Sequence, residues 1–174
     1  MDLRVELDFR YFCQMQAILR PIQQSDDLEL GQLIKSVLAE YKANKPGTAY
    51  FDESTDHLSD VFEESNSAYW VLEENGKIIG GAGVFPTAGL PNGTCELIKL
   101  YLYPEARGRG FGKILMEKCF ESAKKLGYQK MYLETMPELN QAVNMYEKLG
   151  FEKLTGALGN SGHFGCDIWM LKQL

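Results

Sequence analysis

The chain has 174 residues, 45% of them apolar and 24% charged, which is the size and composition of one globular domain with a single substantial core. Eighteen Lys and Arg against 24 Asp and Glu give a net charge of −6, which disfavours a nucleic-acid partner, since binding to that backbone rests on basic surface. No uncharged apolar run approaches the roughly 20 residues that span a bilayer, and Met1-Asp2-Leu3-Arg4-Val5-Glu6 lacks the apolar region of a signal peptide, so a soluble, cytoplasmic protein with no membrane partner is expected.

In chain order, Leu3, Val5, Leu7, Phe9 and Tyr11 alternate with Arg4, Glu6, Asp8 and Arg10, the period-two pattern of a half-buried strand. A second short strand, Ala17 to Leu19, ends at Pro21. Ser25 and Asp26 offer N-caps to an amphipathic helix with Leu30, Leu33, Ile34, Val37, Leu38 and Tyr41 on one stripe. Lys45-Pro46-Gly47 breaks that helix, and a shorter one is predicted from about Ser54, with Leu58, Val61 and Phe62 inward. Tyr69 to Leu72 and Lys77 to Ile79 flank Asn75-Gly76, a two-residue hairpin turn. The second strand runs on through Gly80-Gly81-Ala82-Gly83 to Phe85.

Cys95 to Tyr103 reads as a central strand that Pro104 ends. A glycine-rich turn then leads into a helix carrying Phe111, Leu115, Cys119, Ala123 and Leu126, closed by Gly127 after Lys124 and Lys125. Tyr128 to Glu134 is a further strand. Pro137 opens a helix whose inner stripe is Leu139, Ala142, Val143, Tyr146 and Leu149, with Gly150 as its cap. Two last strands are predicted around Phe151 to Leu154 and Cys166 to Leu171. A central hairpin and mixed element order make this an α+β fold. With no repeat or linker, residues 1–174 form one domain, residues 1–16 adding an extra N-terminal strand.

Cys13, Cys95, Cys119 and Cys166 are scattered without a C-x-x-C pair, and the missing secretory signal argues for reduced thiols. Neither His57 nor His163 lies at metal-ligand spacing from a cysteine, so no metal is expected. Cys95 and Cys119 sit in regular elements and read as small core residues rather than nucleophiles. His57 reads as an exposed helix residue, and His163, in Gly159-Asn160-Ser161-Gly162-His163, as a loop residue that could border a substrate pocket.

Chemistry is concentrated in Arg107-Gly108-Arg109-Gly110-Phe111-Gly112-Lys113, between a strand and a helix. Its glycines let backbone approach a ligand closely, and the free N–H groups of a helix start attract phosphate oxygens. A dinucleotide fingerprint needs a third glycine where Lys113 or Leu115 stands. An ATP-binding loop needs glycine at Arg107 and a hydroxyl residue at Ile114. Both alternatives fail on spacing.

Arg-x-x-Gly-x-Gly after Leu100-Tyr101-Leu102-Tyr103-Pro104, followed by Asn144-Met145-Tyr146-Glu147-Lys148-Leu149-Gly150-Phe151, resembles the GNAT superfamily of acyl-CoA-dependent N-acetyltransferases. The resemblance runs from about Ile18 to the C-terminus and is most specific from Glu96 to Phe151. It implies a mixed, mostly antiparallel central sheet flanked by helices and splayed between the strands Cys95–Tyr103 and Tyr128–Glu134. It also implies acetyl-CoA as co-substrate, with the pyrophosphate on Arg107, Gly108, Arg109, Gly110, Phe111, Gly112 and Lys113 and the pantetheine arm on Leu100, Tyr101 and Leu102. Direct attack of a small-molecule or peptide amine on the thioester follows from the same resemblance.

Many relatives carry Asn three residues before the Ala of the second signature. Leu139 stands there and Asn140 one residue later, so a cofactor contact by Asn140 departs from the pattern. Tyr146 alone reads as a core tyrosine, but its place before Glu-Lys-Leu-Gly-Phe matches the family phenol that protonates the departing thiolate, or at least hydrogen-bonds the sulfur. Glu96 matches a general-base glutamate of some relatives, where other relatives use water chains instead, and strand alternation puts it on the face of Ile98, Leu100 and Leu102 if no bulge intervenes. At least one of Arg107 and Arg109 is expected on a phosphate. Asp52, Glu53, Asp56, Asp60, Glu63 and Glu64 read as a solvated helix face, or as an attractor of cationic amines. The alternative function is a non-catalytic acetyl-CoA-binding sensor of the same fold. The N-terminal strand either joins its own sheet or pairs two subunits into a homodimer.

Overall fold

The computed structural model describes residues 17–174. The expected strand Leu3 to Tyr11, and with it the dimer, lies outside the described residues. Strand β1 (Ile18–Pro21) leads through a 3-10 turn (Gln24–Asp26) into α1 (Asp27–Glu40). Asp26 closes that turn by accepting the Gln23 N–H at 2.8 Å and pairs with Arg20 at 2.7 Å, while the N-cap of α1 carries no side-chain bond. The helix expected from Ser54 is instead a 3-10 turn (Glu53–Asp56) followed by a single α turn, α2 (Leu58–Val61). Hairpin β2 (Ala68–Glu74) and β3 (Lys77–Phe85) turns at Asn75 and Gly76, both with positive φ as the pair predicts.

The remaining elements are β4 (Thr94–Leu102), α3 (Phe111–Lys125), β5 (Lys130–Thr135), α4 (Asn140–Lys148), β6 (Glu152–Lys153) and β7 (Ile168–Gln173). The strands form one sheet in the order β1-β2-β3-β4-β5-β7-β6, antiparallel except for β4 beside β5. Two apolar layers sandwich the sheet. Leu115, Met116, Cys119 and Ala123 of α3 and Tyr146 of α4 fill one layer, and Leu30, Leu33, Ile34, Val37 and Leu38 of α1 fill the other.

Two irregularities in this sheet build the site. Strands β4 and β5 pair only from Thr94↔Lys130 to Glu96↔Tyr132 and then diverge. In addition, Gly81 pairs Tyr101 while Gly83 pairs Ile98, so two β4 residues, Lys99 and Leu100, oppose one β3 residue. This is a β-bulge, and Lys99 sits at φ 51. The glycine run in β3 makes room beneath it: a Cβ on Gly81 would lie 2.6 Å from the Tyr69 hydroxyl, and one on Gly83 2.4 Å from Phe62. Tyr69 occupies that space and donates to the Lys99 carbonyl at 3.0 Å.

Replacing Tyr69 by Phe leaves that buried carbonyl without its donor. The substitution is expected to cost about 1–3 kcal/mol of unfolding free energy, measurable by urea denaturation.

Candidate active site

The divergence of β4 and β5 opens a cavity of about 360 Å³ whose wall runs from Leu97 to Leu102 on β4, over Gly108, Gly110, Gly112 and Lys113, to Ala142, Met145 and Tyr146 on α4. That volume is in the range of small-molecule sites. Beyond Glu96 the edge of β4 facing β5 has no strand partner. At the phosphate-turn end, Gly108 and Gly110 adopt φ 72 and 85, a region side chains disfavour, and a Cβ on either would meet nothing within 4 Å. The N–H groups of residues 108–113 have no hydrogen-bond partner among the described residues, so six free donors lie along the turn into α3. A polyanion fits such a cradle.

The arginines are arranged differently from expectation. Both Arg107 terminal nitrogens bind Glu40, each at 2.7 Å, and its Nε donates to the Leu102 carbonyl at 3.0 Å. Arg109 grips Glu74 at 3.0 and 2.6 Å and lies 4.6 Å from the Phe111 ring. Each guanidinium holds its partner carboxyl below the ordinary value through these hydrogen bonds. Arg107 lines the cavity, whereas Arg109, Phe111 and Asn140 do not. For Asn140 the reason is local. The 3-10 turn Pro137–Leu139 turns Leu139 to the cavity, while Asn140 starts α4 on its exposed side.

Glu96 sits at the fork itself, in the last paired position of β4, and is only 2% exposed. Thr87 donates a short hydrogen bond to its Oε2. Burial, the dominant cause, pushes the carboxyl up to about 7, against the Thr87 hydrogen bond and with help from the Glu134 charge. The bulge changes its surroundings. Leu97, Leu100 and Leu102 pack on the α3 side, while Tyr101 and Tyr103 join the α1 side. Glu96 therefore does not share a face with Leu100 and Leu102. It opens instead into a smaller pocket of about 50 Å³ shared with Lys99, Tyr101, Glu134 and His163.

This pocket adjoins the large cavity through Leu97, Lys99, Tyr101 and Glu134, which line both. Glu134 follows Tyr132, the partner of Glu96, by two residues, so it lies on the same face one step past the fork. Its oxygens accept from Tyr132 and Ser161, each at 2.7 Å. Ligand atoms of Glu96, Glu134 and His163 lie within 4.8 Å of one another, a donor set that could take a divalent cation. Histidine-to-cysteine spacing could not have shown this cluster. A carboxylate in the otherwise apolar run Met131-Tyr132-Leu133 was the available signal for Glu134.

The acidic stretch divides. Asp52 accepts from Lys99 at 3.1 Å and bonds His163 Nε2 at 2.8 Å, whereas Asp56 pairs with Lys35 on the surface. Burial opposes the Asp52 charge, but the His163 hydrogen bond and the Lys99 charge outweigh it and hold its carboxyl low. Tyr146 is 6% exposed, and burial first, then Cys119, raises its phenol well above the ordinary value. The same physics holds two buried thiols protonated: burial pushes Cys95 up to about 12 and raises Cys119 as well.

Residues 34–151 match the Acetyltransferase (GNAT) family. The chain belongs to the GNAT acetyltransferases. It is 38% identical over 159 residues to the Escherichia coli (strain K12) protein named Uncharacterized N-acetyltransferase YjgM, across 90% of this chain and 95% of that one. It is 30% identical to human N-acetyltransferase 8B over 65% of this chain and 53% of that protein. Among solved structures, an acetyltransferase from Streptococcus agalactiae superposes with TM-score 0.78 at 17% identity, covering 91% of this chain and 98% of that one. The PaiA N-acetyltransferase of Thermoplasma acidophilum in complex with coenzyme A does so with TM-score 0.71 at 20% identity, covering 92% and 100%. The splayed, mostly antiparallel sheet is thus the GNAT fold, and N-acetyl transfer is the activity of the family. Among the described residues no helix is long and apolar enough to cross a membrane.

Proposed function

We propose that this GNAT protein transfers the acetyl group of acetyl-CoA directly to a primary amine seated in the small pocket at the β4–β5 fork, with Glu96 as base and Tyr146 as acid. The observation that carries this reading is a carboxylate buried in the wall of the small pocket that adjoins the large cavity, and that burial raises it to about 7. An aliphatic amine is an ammonium ion near neutral pH and is not nucleophilic until it loses a proton. A carboxylate with a pKa near the working pH accepts that proton without trapping it.

The N–H groups of residues 108–113 hold the pyrophosphate, joined by Lys113, while the unpaired edge of β4 from Leu100 to Leu102 meets the pantetheine arm. Both arginines are already neutralised by Glu40 and Glu74, so the backbone donors do most of the anion binding. The amine nitrogen attacks the thioester carbonyl, the C–S bond breaks, and Tyr146 gives its proton to the sulfur. Its raised pKa keeps the phenol protonated for that step.

The test is a panel of methylamine, n-butylamine, 2-phenylethylamine, spermidine and glycinamide with acetyl-CoA, read as release of free thiol. Turnover of at least one amine is expected, and Tyr146→Phe should lower its kcat roughly 10- to 100-fold with acetyl-CoA affinity unchanged. Tight acetyl-CoA binding with no turnover of any amine would instead identify a binding module.

A further inference from the structure

Among the described residues, the small pocket at the fork presents two carboxylates, Glu96 and Glu134, and no uncommitted ammonium. Oxygens of the two lie within 4.8 Å of each other. The one lysine in the wall, Lys99, has a side chain 4% exposed and is bound to Asp52 at 3.1 Å and Thr55 at 2.9 Å. His163 turns Nε2 to the same Asp52. Two carboxylates this close repel, and a cation between them relieves that repulsion.

Both carboxylates have acceptor capacity to spare. Glu96 is 2% exposed, its Oε2 takes the Thr87 hydroxyl, and its Oε1, which accepts from no group among the described residues, is left to the pocket. Glu134 is half-buried and lines both cavities. The Tyr132 and Ser161 hydroxyls fix one oxygen each at 2.7 Å. A carboxylate has about four lone-pair sites, so half of that capacity stays free. A primary ammonium brings three N–H donors on one positive centre. From a single nitrogen it can reach both oxygens at charge-assisted hydrogen-bond lengths of about 2.7–2.9 Å.

We propose that Glu134 docks the ammonium head of the acceptor opposite Glu96, and that the acceptors are primary amines with no carboxylate on the carbon bearing the nitrogen. The assignment rests on the amine seating at the fork, and it adds to the base the group that holds the substrate. Glu96 takes one proton, and the hydrogen bond to Glu134 keeps the neutral nitrogen in place afterwards. A carboxylate on the same carbon would meet Glu96 and Glu134, while the basic side chains of the wall, Lys99 and His163, are already turned to Asp52. It is repelled where the bare amine is held.

Methylamine and glycine, n-butylamine and norvaline, and 2-phenylethylamine and phenylalanine each differ by that one carboxylate. In every pair the amino acid is the less basic, so ease of deprotonation works against the expected preference. The full chain is assayed with acetyl-CoA and with EDTA, which keeps divalent cations off the same donors. Wild-type kcat/KM should favour the amine by roughly 100-fold or more in each pair that turns over. Glu134→Gln should raise the KM of the fastest amine roughly 10-fold or more, lower kcat much less, leave the KM for acetyl-CoA unchanged, and shrink the preference within that pair roughly 10-fold. A carboxylate that only ties Tyr132 to the Ser161 loop would lower kcat for both members alike and leave the preference as it was. NMR titration of the coenzyme A complex with the same amines reads docking without turnover, and Glu134→Gln should bind them roughly 10-fold more weakly.

Equal use of amine and amino acid by the wild type overturns the proposal. So does a Glu134→Gln chain with wild-type KM, unchanged preference or unchanged amine affinity. If that variant does not fold, the wild-type pairs decide alone. Amine binding that depends on Glu134, without turnover by the wild type, overturns the proposed function and leaves the docking role standing. Turnover without preference does the reverse, and absence of both turnover and binding overturns both.

Discussion

Glu96→Gln is expected to lower kcat by roughly 100-fold or more while acetyl-CoA affinity, measured by calorimetry, stays within about twofold. The amide keeps the shape and can still accept from Thr87, so the large cavity is untouched. What is lost is the site that accepts the ammonium proton. In the wild type, kcat should fall as pH drops through about 7, because protonation of Glu96 removes the base. That acidic limb should vanish in the variant. The same ionisation has a stability signature of defined sign. A carboxyl whose folded-state pKa is raised leaves the native state binding more protons than the unfolded chain between roughly pH 4.5 and 7. Wild-type stability is therefore fullest below that window and declines as pH rises through it. Glu96→Gln, with no charge to bury, should gain stability relative to wild type above pH 7. A variant that keeps its turnover and its acidic limb passes the proton to Glu134 or to water instead.

Local chemistry made most of the fold legible. The Asn75-Gly76 turn, the α1 stripe from Leu30 to Leu38, and the glycines after α3 and α4 each state their own structure, because turn conformation and helix periodicity are decided within a few residues. The segment after Ser54 was less legible: its apolar residues fit a helical stripe, yet the chain forms a 3-10 turn and a single α turn. The phosphate turn was legible for the same local reason, since only glycine sits easily at the φ of Gly108 and Gly110.

The acceptor pocket was not legible in the same way. The bulge at Lys99 follows from a long-range fit, Tyr69 lodged under Gly81 and Gly83, and it moves Glu96 off the face that strict alternation assigns. The Arg107–Glu40 and Arg109–Glu74 pairs span 67 and 35 residues. His163 and Asp52, 111 residues apart, meet where the loop before β7 is tied to distant segments, Gly165 N–H donating to the Gly47 carbonyl and Asn160 N–H to that of Ala88. No window on the sequence contains such pairs.

Gly110→Glu should abolish detectable coenzyme A binding while the domain remains folded. Gly110 is the N-cap of α3 at φ 85, with nothing within 4 Å of where a Cβ would stand. The new side chain therefore has room, and the fold bears only the cost of a left-handed non-glycine residue, about 1–2 kcal/mol. That is small against a stability of about 5–15 kcal/mol. The cofactor site bears much more. The carboxylate enters the space above the free N–H groups of residues 108–113, takes some of those donors for itself, and repels the pyrophosphate. Losing even two charge-assisted hydrogen bonds at about 1.5–3 kcal/mol each lowers affinity at least 100-fold before repulsion is counted. Gly112→Glu should fail by a different route, because a Cβ there lies 3.2 Å from Met145 Sδ and pushes α4 as well as the ligand. Gly110→Ala separates the two effects at Gly110: it keeps the backbone cost and omits the charge, so its loss of affinity should be far smaller. Calorimetry with coenzyme A on a Gly110→Glu chain that melts cooperatively decides the matter. Wild-type affinity in that variant would place the pyrophosphate somewhere other than this turn.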